Sequence, residues 1–339
     1  MIKKVSVIGA GSWGTALSIL LANKGIDVNL WAYEEEVYEQ ITETRENSRY
    51  LPEIVIPSSV IAYRDKREAI RDTDLTVLAV SSQAVRSVAA QIRDFIPDQG
   101  IIVNVAKGLE VKSLKRLSQV IEEEVPHCRI AILSGPSHAE EVAMGIPTTI
   151  VSAAKERRVS EFVQDVFMSP NFRVYTNSDV IGVEMGGALK NIIALAAGVG
   201  DGLGYGDNTK AALTTRGIVE ITRLGQAMGA LPSTFAGLTG IGDLIVTCTS
   251  MHSRNRRAGI MIGQGKSLDE TLTTVGMAVE GVKTCEAAYK LAQKMGVEMP
   301  ITEQLYQVLF MNKEAKEAVE DLMLRNKTFE SEEGYNKWL

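Results

Sequence analysis

Three cysteines, Cys128, Cys248 and Cys285, are too few, too scattered and odd in number for a disulfide framework. They include no Cys-x-x-Cys pair, and a reducing compartment fits such usage. Histidine is equally scarce. His127, His138 and His252 form no His-x-x-x-His pair, so no metal site is expected. Positive charge is not in surplus either: 36 basic against 42 acidic residues leave a net charge of −6. That balance excludes broad nucleic-acid binding, which needs a basic face, but leaves room for a small basic pocket that holds an anion. No uninterrupted apolar run reaches the roughly 18 residues of a membrane span, so none is expected. The first apolar stretch, Val5 to Ile8, is broken by Ser6 and stopped by glycine, which makes it a buried strand rather than a signal peptide.

What is present is a globular composition, 45% hydrophobic and 23% charged, in a chain of 339 residues, long enough for two domains. Residues 5–8 read as a strand, 9–14 as a glycine turn, 15–23 as a helix ended by Gly25, and 28–31 as a second strand. Strand patterns recur at 75–80, 101–105, 130–133, 148–151 and 172–175, with helical patterns at 84–94 and 113–124. From about residue 180 helices dominate, at 180–199, 208–228, 255–263, 267–274, 281–295, 301–310 and 314–324; Ser267 and Glu270 form a capping box. The expected fold is α/β: an N-terminal Rossmann-like doubly wound sheet over 1–180, then an all-α domain over 181–339. The polar last ten residues are expected to fray.

Gly9-Ala10-Gly11-Ser12-Trp13-Gly14 matches Gly-x-Gly-x-x-Gly between a buried strand and a helix, the context that makes this pattern informative. The first glycine permits the tight turn, the second lets backbone approach a pyrophosphate, and the helix N-terminus offers free N–H groups to the anion. Glu34 lies 20 residues past Gly14, where an acid takes the ribose hydroxyls of NAD. No arginine adjoins it in sequence to receive a 2′-phosphate, which leans toward NAD over NADP. The run Glu34-Glu35-Glu36 reads equally well as a solvated helix start.

Four further stretches carry candidate chemistry. Lys107 follows a strand end, on the sheet edge where open α/β folds bind ligands; a surface lysine is the alternative. Ser134-Gly135-Pro136-Ser137-His138 makes a rigid turn after a strand, although the turn by itself does not aim His138 as a base. Gly186 and Gly187 lie one turn before Lys190 in a largely apolar helix, with Ala194 and Ala197 beyond it on the same face. Glycine in a helix interior costs about 1 kcal/mol against alanine, so the pair must bring a packing or access benefit. A lysine on that bare strip, if buried, has its pKa lowered from about 10.4 toward neutrality, which suits a general base; if not, it snorkels to solvent. Finally, Gly237, Gly240 and Gly242 free the backbone around Asp243, and Ser253 caps a helix that begins Arg254-Asn255, an anion site or a solvated basic face.

Taken together, GAGSWGTAL at 9, AKGLE at 106, LSGPSHAEEV at 133, GVEMGGALKNIIALAAG at 182, GLTGIGDLIVTCTSMHSRNRRAG at 237 and VEG at 279 resemble the bacterial-type NAD(P)-dependent glycerol-3-phosphate dehydrogenases, in the family's order and over about residues 1–325. The resemblance implies reversible reduction of dihydroxyacetone phosphate to sn-glycerol 3-phosphate with NAD(H) and/or NADP(H), supplying phospholipid synthesis in the cytoplasm. It implies Lys190 as the catalytic proton acceptor. Substrate would meet Lys107, Gly135, Ser137, Lys190, Asn191, Asp243, Ser253, Arg254 and Asn255. Cofactor would meet Gly9, Gly11, Ser12, Trp13, Gly14, Tyr33, Lys107, Ala139, Arg254, Ala278 and Glu280. Tyr33 stands where the family commonly has Arg or His, and Ala278 where it often has valine. The resemblance admits a homodimer; coenzyme preference and oligomeric state stay open. The competing readings are a dehydrogenase of the same plan acting on a hydroxy acid, a non-catalytic dinucleotide sensor, and a purely structural helical protein.

Overall fold

The computed structural model describes residues 2–327 and 329–330. Of the last ten residues, expected to fray, 331–339 lie outside the described residues.

The N-terminal unit alternates strand and helix: β1 (Lys4–Ile8), α1 (Ser12–Asn23), β2 (Asp27–Trp31), α2 (Glu35–Glu43), β3 (Val60–Tyr63), α3 (Lys66–Ile70), β4 (Leu75–Leu78), α4 (Val85–Ile92), β5 (Ile101–Asn104), α5 (Leu117–Glu124), β6 (Arg129–Ser134), α6 (Ala139–Ala143), β7 (Thr148–Ala154), α7 (Arg157–Phe167) and β8 (Phe172–Asn177). The strands join in the order β3-β2-β1-β4-β5-β6-β7-β8. Pairing is parallel except between β6 and β7. Short β-branched runs such as Val5–Ile8 and Leu75–Leu78 are buried because helices cover both sheet faces. Val5, Val7, Leu17 and Val77 pack on one side; Ile8, Leu78, Ile92 and Val120 pack on the other.

Several elements depart from the sequence reading. Strand β3 and helices α3, α6 and α7 were not expected, and α2 takes up the helix start that the acidic run allowed. Strand β3 has only four residues and one buried side chain, so period-2 patterning barely registers. The helix expected over 113–124 begins only at Leu117: Leu114 has φ 61°, and the first turn is anchored from outside by Glu184, which accepts from Ser118 N (2.8 Å) and Oγ (2.6 Å).

The second unit is helical among the described residues: α8 (Val180–Gly202), α9 (Asp207–Ala227), α10 (Pro232–Phe235), α11 (Asp243–Thr249), α12 (Arg254–Gly263), α13 (Leu268–Val275), α14 (Glu280–Met295), α15 (Pro300–Phe310) and α16 (Ala315–Met323). Helix α8 is its axis. By length and composition it could cross a membrane, but 83% of its apolar window is buried inside the protein, as in a core helix. The absence of an unbroken apolar run had hidden this, because Glu184, Lys190 and Asn191 interrupt it. The glycine-rich stretch around Asp243 is not a loop: Leu238–Gly242 form one wide turn, with Gly242 N donating to Gly237 O (3.2 Å), that feeds directly into α11.

Helices α8 and α12 cross at backbone distance. A methyl group on Gly198 would strike the carbonyl of Arg256, and one on Gly259 or Gly263 would strike the carbonyls of Leu195 or Val199. This crossing brings the N-terminus of α12 beside the middle of α8. Gly259→Ala should therefore lower the thermal midpoint, by roughly 1–3 kcal/mol of stability. Gly200→Ala, where nothing lies within 4 Å of the added carbon, should be neutral or stabilising by up to about 1 kcal/mol. Equal melting of the two variants would contradict the close crossing.

Candidate active site between the two units

The end of β6 and the loop after β5 lie against α8, where Ser134 and Lys107 flank Gly187, and Ile132, Val151 and Ala153 of the sheet pack on Val183 of α8. At the end of β1, Gly9 has φ +123° and donates its N–H to Trp31 O (3.1 Å). A side chain on Gly14 would collide with the carbonyl of Gly9, so the turn closes only with glycine there. A carbon on Gly11, by contrast, would meet nothing within 4 Å: the space beside it is open cleft. No side chain caps the first turn of α1. Trp13 Nε1 is buried without a partner. Backbone donors, open space and an orphaned indole N–H are what a pyrophosphate-bearing dinucleotide would fill.

Around this turn the structure places residues that sequence spacing did not reveal. Ser12 Oγ donates to Tyr50 O (2.6 Å), and Tyr50 OH donates to Glu34 Oε1 (2.6 Å). The Tyr33 side chain is 73% exposed beyond the end of β2. Folding brings one arginine near the end of β2: Arg64, just after the unforeseen β3, donates to the carbonyls of Ala32 (3.2 Å) and Tyr33 and pairs with Glu35 (3.1 Å), with no bond to Glu34.

The chemistry centres on a buried carboxylate. Asp243, the first residue of α11, is fully buried. Its Oδ1 accepts from Lys190 Nζ of α8, and its Oδ2 from Lys107 Nζ of the loop after β5 (2.8 Å). Burial works to raise the Asp243 pKa, but the two ammonium groups outweigh it and hold the carboxyl below its ordinary value. Lys190 is 6% exposed and also donates to Thr247 Oγ1 (2.7 Å). Thr247 gives its own proton to Asp243 O (2.6 Å), one helical turn back, so toward Lys190 it can only accept. Burial, partly offset by Asp243 and reinforced by Lys107, lowers the Lys190 pKa to about 8. Lys107 also donates to Gly135 O (2.8 Å), which ties the turn after β6 to the same cluster.

The bare strip before Lys190 is filled by the protein itself. Gly186 admits the carbonyl of Thr239, and Gly187 admits the hydroxyl of Ser134, which is buried without a partner. The glycines therefore serve close packing that seats the wide turn and the β6 end against α8.

The remaining expected residues fall around this cluster. Gly135 has φ +142°, and Ser137 Oγ donates to its carbonyl (2.9 Å). Ser253 caps α12 by accepting from Arg256 N (3.2 Å). The Arg254 guanidinium has no hydrogen bond or ion pair among the described residues. Burial lowers its pKa, while Glu280 and Glu140 nearby raise it. The Asn255 carboxamide is committed to the protein: Nδ2 donates to Asn191 Oδ1 (2.9 Å) and Oδ1 accepts from Gly281 N (2.8 Å). It locks α12 to α8 and α14, and its second Nδ2 hydrogen is not used by either bond. Glu280 is tied across the cleft by Ser82, whose N (3.0 Å) and Oγ both donate to it; burial raises its pKa. Ala139 begins α6, and Ala278 is exposed in the loop before α14. His138 stands beside Lys190, and burial together with that lysine lowers its pKa; its Nε2 is buried without a partner. Thr247, Tyr50 and Ser82 had gone unnoticed. Only Thr247 carried a signal, its spacing of four from Asp243, and that needs a helix to be read.

Comparison with known proteins adds the family. Residues 4–160 match the model of the NAD-dependent glycerol-3-phosphate dehydrogenase N-terminus, and 179–320 that of its C-terminus. A protein of Moorella thermoacetica named glycerol-3-phosphate dehydrogenase (NAD(P)+) is 58% identical over 98% of this chain and 99% of its own length. A protein of Clostridium tetani with the same name is 55% identical over 96% and 93%. The crystal structure of glycerol-3-phosphate dehydrogenase from Coxiella burnetii superposes with a TM-score of 0.93 at 38% identity, covering 96% of this chain and 99% of that one. Matches across both units, at these identities and over nearly the full length, place the chain in the NAD-dependent glycerol-3-phosphate dehydrogenase family.

Proposed function

We propose that this chain is an NAD(P)-dependent sn-glycerol-3-phosphate dehydrogenase that reversibly reduces dihydroxyacetone phosphate, with 1–180 as its dinucleotide-binding unit and 181–339 as its substrate-binding unit. Supply of glycerol 3-phosphate to phospholipid synthesis in the cytoplasm, by a chain able to form a homodimer, belongs to the same reading. The observation that carries it is Lys190, buried on α8 and joined through Asp243 to Lys107 of the opposite unit.

The bound dinucleotide supplies a hydride acceptor or donor. The chain's own residues do the rest. Lys190 meets the C2 oxygen: as an ammonium it gives the proton that turns a developing alkoxide into a hydroxyl, and as an amine it takes that proton back. A pKa of about 8 places both forms within reach near neutral pH. Asp243 stays ionised throughout and fixes the direction of the Lys190 ammonium, while Thr247 accepts its second N–H. Lys107 adds positive charge where negative charge builds on the substrate oxygen. Arg254, unpaired at the N-terminus of α12, and the backbone N–H groups of that helix tip suit a phosphate. Asn255 keeps the tip in place. His138, held neutral beside Lys190, is a hydrogen-bonding group rather than the base. The acyclic substrate must lie with its reacting carbon within roughly 3–3.5 Å of its partner, which places it between the glycine turn and Lys190.

An assay with dihydroxyacetone phosphate and each reduced coenzyme tests the function. Substrate-dependent coenzyme oxidation is expected, and turnover confined to a phosphate-free hydroxy or keto acid would replace it with the hydroxy-acid reading. Lys190→Ala should keep coenzyme affinity and lose kcat by roughly 10²–10⁴; near-normal turnover refutes the assignment. Because Lys190 must be neutral to accept a proton, kcat/KM for glycerol phosphate oxidation should rise with pH and level off above about 8, while ketone reduction declines above the same value. Parallel profiles in the two directions would exclude Lys190 as the titrating group. Asp243→Asn leaves two buried ammonium groups without their counter-charge, so it should destabilise the fold by roughly 3–5 kcal/mol and shift the Lys190 titration downward. An unchanged melting temperature would count against the shared ion pair.

A further inference from the structure

We propose that Glu34 selects the adenosine ribose, so that this chain binds NAD(H) in preference to NADP(H). The inference rests on the glycine turn being the dinucleotide site and extends that reading to the choice between the two coenzymes.

Of the three consecutive acids after β2, only Glu34 is drawn inward. Glu35 and Glu36 are exposed, and Glu35 is paired with Arg64. Glu34 stands at the N-cap position of α2, yet its side chain makes no capping bond. A helix does start here with Glu35 and Glu36 solvated in its first turn, while Glu34 itself is half-buried and turned to Tyr50. Its Oε1 accepts from Tyr50 OH, and the Tyr50 carbonyl accepts from Ser12 Oγ, so two hydrogen bonds tie the carboxylate to the first residue of α1. That residue opens the helix whose free N–H groups face the pyrophosphate position. The end of β2 is level with the turn, since Trp31 O accepts from Gly9 N. The second oxygen, Glu34 Oε2, has no partner among the described residues and remains an acceptor for a ribose hydroxyl.

Two of the nearby cations are held elsewhere, while Arg49 is exposed and Arg254 lies near Tyr50 without an ion pair among the described residues. Arg64 is held by the carbonyls of Ala32 and Tyr33 and by Glu35. Lys66 lies over the Trp31 ring at 3.9 Å. Arg49 lies over the Tyr50 ring at 5.3 Å, on the side chain that already donates to Glu34. Tyr33 offers an exposed ring and no charge. A ribose 2′-phosphate would bring its negative charge against the Glu34 carboxylate, while a free 2′-hydroxyl would donate to it.

The test is binding without substrate. The intact protein is titrated with NADH and with NADPH by calorimetry, alongside Glu34→Gln and Glu34→Arg, with thermal melts confirming that the variants fold. NADH should bind wild-type protein tighter by roughly tenfold or more, the expected result of opposing like charges at a binding site. Glu34→Gln should bring the two affinities to near parity, and Glu34→Arg should reverse their order. Equal affinities in the wild type, or a ratio unmoved in both variants, overturns the role of Glu34. Failure of wild-type protein to bind either coenzyme overturns the dinucleotide site itself, and this inference with it.

Discussion

A fully buried aspartate held between two lysines is the interaction on which the active centre depends. A carboxylate at zero exposure is tolerable only if its charge is answered on the spot, and Asp243 is answered twice, by Lys190 from the helical unit and by Lys107 from the sheet unit. The cluster carries one surplus positive charge, which suits an anionic substrate. Because the two lysines come from different units, Asp243 has both of its counter-charges only when those units sit together. Ser82 to Glu280 and Arg116 with Ser118 to Glu184 fasten the same two bodies at other points.

The rest of the architecture makes that cluster possible by letting backbones approach α8. Gly186 admits the wide turn that ends at Asp243; Gly187 admits the end of β6; Gly198 and Gly202 admit α12 and its cationic tip. Side chains at any of these positions would hold the neighbouring elements away and move the groups that surround Lys190. The apolar character of α8 follows from the same fact: enclosed along most of its length, it has no polar face, and its charged residues are Glu184, Lys190 and Asp201, each ion-paired.

Much of the site was legible in the chain before folding. The glycine turn announced itself because three glycines between a strand and a helix have a backbone function that no other residue performs. Lys190 stood out because a charge in an apolar helix, one turn past two glycines, demands an explanation. Other parts were illegible for equally physical reasons. That Asn255 also clamps α12 to Asn191 and Gly281 was invisible, because those partners lie 64 and 26 residues away. No helix was read at 237–250, because glycines suppress helix propensity, although here they permit a wide turn packed against α8.

Local chemistry along the chain determined the strand-then-helix plan of the two units and the glycine turn after β1, since each depends on neighbours a few residues apart. Only the tertiary structure decided that Asp243 is shared, that Tyr50 and Ser12 draw Glu34 inward, and that Arg64 comes to rest beside Tyr33. These are pairings across 16 to 136 positions of chain, and no local pattern encodes which distant partner a hydrogen bond will find.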